Sequence, residues 1–212
     1  MLEWSEYVKI FVAILVIVNP LGAVPFYISL TSGLAPKERR KIPNQTSLTI
    51  VVVLVVATFI GEALLGLFGI SLASFRVGGG ILLMLMAVSM MQARQSRSRQ
   101  TPEEAIEAED KENIAVVPLA MPLLAGPGAI STVIIYASLS AHPLHYLIIM
   151  LSCIVVAFVI WLALHSAEFL AGYLGTTGIN IAMRLMGILL AAIAIEFIAS
   201  GALDLLPGLA AN

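Results

Sequence analysis

The chain has 212 residues, of which 60% are hydrophobic and 11% charged, with a mean hydropathy of +1.02 and a formal net charge of -2. A soluble domain carries roughly 25% charged residues, so this composition excludes an ordinary water-soluble globule and indicates a chain embedded almost wholly in a membrane. The small net charge gives no electrostatic footprint for nucleic acid, and the single cysteine, Cys153, excludes an internal disulfide.

Apolar stretches of about 18 residues or more are long enough to cross a bilayer as helices. The alternating segments of an outer-membrane barrel are absent. The expected fold is therefore all-α, a polytopic membrane protein with six transmembrane helices, at about 7–30, 46–68, 74–92, 115–139, 144–170 and 180–202. The first residues, Met-Leu-Glu-Trp-Ser-Glu, lack a basic n-region and a small-residue cleavage site, so the first span is read as retained. Trp4, Tyr7 and Tyr146 fit interfacial aromatic belts. Trp161 and Cys153 are read as core.

The first span is interrupted by Asn19-Pro20-Leu21-Gly22-Ala23-Val24-Pro25. Each proline removes a backbone donor and crowds the carbonyl four residues earlier. Irregular backbone at membrane depth is tolerated only where protein buries it or it lines a cavity. The connection at 31–45 carries Lys37, Arg39, Arg40 and Lys41, and that at 93–114 carries Arg94, Arg97, Arg99 and Lys111. The turns near 69–74 and 140–144 carry no lysine or arginine. The positive-inside rule puts 31–45 and 93–114 in the cytoplasm and both termini outside, which is the periplasmic side if the membrane is a bacterial inner one. The 93–114 stretch also holds Glu103, Glu104, Glu107, Glu109, Asp110 and Glu112. It reads as a solvated linker, with a regulatory or docking segment as the other reading.

The fourth span returns to the device of the first. Pro122-Leu123-Leu124-Ala125-Gly126-Pro127 repeats the Pro-Leu-x-Ala-x-Pro of 20–25. Glu62 to Gly69 and Glu168 to Gly175 both read Glu-x-Leu-x-Gly-x-x-Gly, and Gly80-Ile81-Leu82-Leu83 returns as Gly187-Ile188-Leu189-Leu190. Three echoes in one order indicate a single membrane domain made by duplication. Repeat one covers about 1–92, the linker about 93–114 and repeat two about 115–212. An odd number of spans per unit makes the second copy enter from the opposite side, giving inverted repeats with broken helices 1 and 4.

Two broken helices in matching positions are the best sequence pointer to a binding site. Helix starts after each break offer amide N–H groups and a favourable dipole end to an anion. Carbonyls before each break, near Val18 and Met121, can accept from an ammonium. The candidate substrate-binding residues are Asn19, Pro20, Gly22, Pro25, Gly126, Pro127, Gly128, Ser131 and Thr132, and a small zwitterion is the ligand they suit. The other reading is that the breaks are packing kinks. Gly78, Gly79, Gly80 and Gly187 let helices approach closely. Glu62 and Glu168 lie near span ends as interfacial anchors, and Arg76 and Arg184 begin spans and snorkel. Glu196 lies deeper and is the candidate for a coupling ion, because intramembrane carboxylates are costly. His142, His145 and His165 do not cluster, and no metal site, catalytic residues or nucleotide motif is expected. His142 and His145 are assigned to an external turn.

Four segments carry a likeness to a known family: 19–25, Phe75-Arg76-Val77-Gly78-Gly79-Gly80-Ile81-Leu82, the run from Val117 to Ile130, and Thr177-Gly178-Ile179-Asn180 leading to Arg184-Leu185-Met186-Gly187. With these residues the chain resembles the MarC family of neutral amino-acid transporters. The resemblance implies a six-span inner-membrane secondary transporter of small neutral amino acids such as alanine and glycine, not an enzyme. Its implied partners are a small-molecule substrate, membrane lipid and a second copy in a homo-oligomer. No cofactor is expected; a coupling proton, a coupling sodium ion and facilitation without an ion stay open, as do export and uptake. The alternatives are a non-transport membrane scaffold or assembly partner, or an exporter of another small polar metabolite.

Overall fold

The computed structural model describes residues 2–92, 115–206 and 208. The charged linker expected at 93–114 lies outside the described residues. Eight α-helices are described: α1 (Trp4–Val18), α2 (Pro20–Thr31), α3 (Pro36–Arg39), α4 (Ile42–Leu67), α5 (Leu72–Met91), α6 (Pro127–Ala137), α7 (Pro143–His165) and α8 (Ala167–Leu205). A π-helical segment, Ala115–Leu124, precedes α6. No strand occurs among the described residues.

Proline opens α2, α3, α6 and α7 at their first position, where its missing N–H costs nothing and its φ is already helical. Left-handed backbone marks two of the turns. Gly69, after α4, has φ +67, and Gly175, inside α8, has φ +61. These are the final glycines of the two Glu-x-Leu-x-Gly-x-x-Gly motifs. Both copies of the motif therefore turn the chain with the same residue, one that adopts this region without steric penalty. The sequence places the last turn between 170 and 180. The chain instead breaks twice, at Ser166 between α7 and α8 and again at Gly175.

Five helical stretches are long and apolar enough to cross a membrane: Trp4–Thr31, Pro36–Leu67, Leu72–Met91, Pro143–His165 and Ala167–Leu205. The expected fourth span is divided into the π segment and α6, each shorter than a bilayer crossing. Leu48, Val52, Val56 and Phe59 of α4 and Leu147, Leu151, Ile154 and Phe158 of α7 are exposed. An apolar surface on that scale is stable against lipid, not water.

The core sits between α1–α2, the π segment and α6, wrapped by the other helices. α1 runs parallel to α7: Tyr7 meets His145, and Leu15 and Asn19 share a groove with Val159 and Ala163. α4 runs antiparallel to α7, with Asn44 bonded to Trp161 near one end and Phe59 stacked on Tyr146 near the other. α4 is parallel to the π segment and α6, since Thr46 Oγ1 donates to Ala115 O (3.1 Å) and Gly61 backs onto Ile134.

The closest pairing is α5 with α8, also antiparallel. A Cβ on Gly80 would stand 2.8 Å from Ala194 O, one on Gly187 3.0 Å from Ala87 O, and one on Gly201 2.7 Å from Ala73 O. Gly80 and Gly187 are equivalent in the two repeats, and so are Ala87 and Ala194 at the same chain offset. The two glycine contacts are thus copies of each other. Arg76 is half-buried and pairs with Asp204 (2.8 Å), which ties it to α8. Arg184 is exposed. Cys153 is fully buried, as expected. Two aromatic expectations fail. Tyr7 is 4% exposed, because its hydroxyl is drawn inward to His145. Trp161 is only half-buried, because its Nε1 donates to Asn44 Oδ1 at 2.6 Å.

Candidate functional site

The first break is a single residue. Asn19 has φ 53 and ψ 72, and it is the one non-glycine residue with positive φ among those described. Asparagine is the non-glycine type best suited to this region, because its short side chain bonds locally. Here its Oδ1 accepts from Gly22 N at 3.1 Å, capping α2. Gly22 is required by that cap: a Cβ there would collide with the Asn19 amide. Pro20 is the first residue of α2 and has no N–H to give Val16, so that carbonyl is released.

Pro25 does not take part in the break. It lies inside α2, where it releases the carbonyl of Leu21. The first turn offers fewer free amides than a bare helix start would. Pro20 has none, Gly22 is taken by Asn19 Oδ1, and Ala23 N bonds Asn19 O at 3.3 Å. Leu21 N–H is the donor left over.

Asn19, Pro20 and Leu21 line a groove of about 440 Å³ with Leu15, Ala163 and Met186 among its apolar walls. Binding cavities for small molecules run from roughly 300 to 1,000 Å³. A second pocket, of about 630 Å³, lies beyond Ser166 at the end of the molecule that carries Lys37 to Lys41. Arg39 crosses it to Glu168 at 2.7 Å, with its guanidinium over the Tyr27 ring.

The second break falls one half-helix later in its motif than the first. α2 begins at the first proline of Pro-Leu-x-Ala-x-Pro, whereas α6 begins at the second, Pro127, with Gly126 extended (φ -78, ψ -178). The π segment runs through Met121 and closes with Ala125 N on Ala120 O at 2.8 Å, a bond spanning five residues. Met121 therefore lies inside the π segment, and the break is at Ala125–Gly126. Gly126 and Gly128 are buried, and Pro127 is exposed. Gly128 packs on Met86 and Leu83 of α5, and Ser131 packs on Gly79. The Thr132 hydroxyl donates to Gly128 O at 2.8 Å, within its own helix.

None of Gly126, Pro127, Gly128, Ser131 or Thr132 lines the Asn19 groove. The first-break residues Asn19, Pro20 and Gly22 thus form one locus and the second-break residues another, on the α5 side. Glu196 joins neither. It is exposed on α8. Among the described residues no group of acidic, histidine and cysteine side chains could hold a metal.

One polar centre was assigned elsewhere. His145, expected in an external turn, is the third residue of α7 and is fully buried. Its Nε2 is 2.8 Å from Tyr136 O and its Nδ1 is 3.1 Å from the Tyr7 hydroxyl. Its partners come from α6, nine residues back, and from α1, distant in sequence. The available clue was the cost of leaving a histidine at the head of an apolar span.

The profile of the MarC family of integral membrane proteins matches residues 4–206, almost the full chain. This chain belongs to the MarC family. It is 39% identical over 208 residues to the UPF0056 membrane protein YhcE of Escherichia coli (strain K12), covering 98% of this chain and 96% of that one. The UPF0056 membrane protein BU267 of Buchnera aphidicola (subspecies Acyrthosiphon pisum) is 38% identical over 207 residues, covering 98% and 96%. A UPF0056 membrane protein of Aquifex aeolicus is 37% identical over 214 residues, covering 97% and 98%. No solved structure matches. As a MarC protein the chain is an integral membrane protein with multiple apolar helices, so Asn19 and its groove lie along a membrane-crossing helix.

Proposed function

We propose that this MarC protein is a secondary carrier of small neutral amino acids such as alanine and glycine in a bacterial inner membrane. The observation that carries the reading is the Asn19 break. A left-handed residue breaks the backbone bonding of a bilayer-length helix beside a groove that is otherwise apolar. Strain of this kind costs about 1–3 kcal/mol and persists where it serves a site. The substrate carboxylate binds the Leu21 amide and the Asn19 side-chain amide. Its ammonium binds the carbonyls that Pro20 and Pro25 release. Leu15, Ala163 and Met186 leave room for a small apolar side chain and no partner for a charged one.

The proposed architecture is six spans in two inverted repeats that rock around this locus, the fourth span being the π segment with α6. Its support is the antiparallel packing of α5 on α8, the copied glycine contacts and the shared left-handed glycine of the two turns. The basic residues at 37–41 support a cytoplasmic position for that end and a periplasmic one for both termini. The driving ion is a proton or sodium; no bound cofactor, nucleotide or enzymatic step is involved.

Purified protein in liposomes should take up labelled alanine or glycine saturably. Uptake no faster than in protein-free vesicles would overturn the reading. Trypsin should reach Lys37 to Lys41 in inverted vesicles and not in right-side-out ones.

A further inference from the structure

We propose that His145 is a proton-binding site that controls access at the N-terminal end of the protein, the end where α1 begins and α6 finishes. The inference rests on the carrier reading only for its purpose; its geometry is independent. His145 is fully buried and sits between the two helices whose breaks were described above. A carbonyl can only accept, so the 2.8 Å contact with Tyr136 O fixes the proton on Nε2. Nδ1 is then bare and accepts from the Tyr7 hydroxyl at 3.1 Å. This neutral tautomer ties α1 to α6 through α7. Both helix ends are closed around it: Tyr7, Ile134, Ile135 and Ala137 are buried.

A proton arriving from water on this side adds to Nδ1. The ring then has two donors, and Tyr7 must turn its oxygen to accept and send its own hydrogen into an apolar surround. Among the described residues no carboxylate touches the ring. The charged and titratable groups around it are few. α1 carries Glu6 and Lys9, bonded to each other at 2.6 Å. α7 carries His142 and Tyr146, whose ring lies edge-on to His145. α4 places Phe59 on Tyr146 and carries Glu62 one turn further. α8 places Phe197 on Tyr136, with Glu196 beside it. A buried imidazolium without a paired anion is unfavourable. The protonated form therefore prefers a conformation in which this end opens and water reaches the ring. Imidazole is the side chain whose charge changes in the physiological range. The closed end holds the neutral ring, and acid opens it.

The test reads access to this end without reference to transport. In the chain with Cys153→Ala and Ala137→Cys, placed in nanodiscs, the rate of labelling by a polar maleimide is measured from about pH 5 to 8, corrected for the intrinsic thiolate fraction. One coupled proton raises the labelling rate as the pH falls, by up to about tenfold per pH unit. His145→Asn keeps one donor and one acceptor but does not titrate, so its profile should be flat. A flat profile in the His145 chain, or the same slope in His145→Asn, overturns the proposal. If the cysteine variant does not fold, hydrogen exchange of residues 133–148 in the unaltered chain replaces it: corrected exchange that does not rise in acid also overturns it. Alanine uptake is scored separately. Acid-dependent labelling without uptake would keep the proton site and discard the amino-acid carrier. Uptake with flat labelling would do the reverse.

Discussion

Asn19 carries two separate loads, and substitution can divide them. Its backbone is left-handed and its side chain caps α2. Asn19→Gly keeps the backbone at little steric penalty and loses the cap, so stability should fall by about a few tenths of a kcal/mol. Asn19→Ala loses both and should cost about 1.5–4 kcal/mol, the sum of a lost cap and left-handed strain. If the break serves binding, alanine uptake should survive better in Asn19→Gly than in Asn19→Ala; thermal unfolding in detergent checks the first ranking and initial uptake rates the second. Equal behaviour of the two would mean that the left-handed turn is incidental. The importance of this residue was legible because proline and glycine follow it at once. What the sequence did not reveal is that the cap uses up part of the donor set expected for a ligand. His145 was legible only in part: a histidine at the head of an apolar span needs partners, but one of them, Tyr7, lies 138 residues away.

At the scale of elements, the duplicated Pro-Leu-x-Ala-x-Pro was read as two equivalent breaks. The structure places them at different prolines, and the reason is the residue before each motif. Asn19 can turn left-handed and cap at once, so the chain breaks ahead of Pro20. Met121 can do neither, so the coil widens through Ala115–Leu124 and breaks only at Gly126, which Pro127 holds in extended backbone. The glycine stripe behaved as its chemistry suggested. Gly80, Gly187 and Gly201 meet backbone oxygen of the facing helix, whereas Gly78 meets nothing within 4 Å. Gly187→Leu should therefore destabilise the α5–α8 pair by about 1–3 kcal/mol or more, as overpacked cores do. Gly78→Leu, on an exposed position of the same stripe, should stay within about 0.5 kcal/mol. Midpoints of thermal unfolding for the two variants, measured side by side, decide it. Similar losses would mean that α5 and α8 are not packed along this seam.

For the whole molecule, the two halves are held together more by each other than by the chain that joins them. α5 belongs to the first half and α8 to the second, and their glycine contacts run from Ala73 to Met91. Tyr7 to His145, Thr46 to Ala115, Asn44 to Trp161, Arg39 to Glu168 and Arg76 to Asp204 all cross between the halves. In lipid there is no hydrophobic force between helices, so association depends on close packing and interhelical polar contacts of this kind. Each half alone would leave Thr46 and Arg76 without their partners, His145 without the Tyr7 hydroxyl, and the glycine seam of α5 or α8 open to lipid. Cutting the chain within 93–114 removes none of these contacts and adds only an association step. Residues 1–97 and 98–212, expressed as separate polypeptides in one cell, should therefore co-purify and bury the same surfaces. Either piece alone should be degraded or aggregate. The reading is co-purification through a tag on one piece, with unfolding compared to the intact protein. Arg76→Leu together with Gly187→Leu should abolish recovery of the complex while leaving each piece inserted, because both changes strike the same α5–α8 seam. Failure of the unaltered halves to associate would show that the linker, and not the interface, holds the fold.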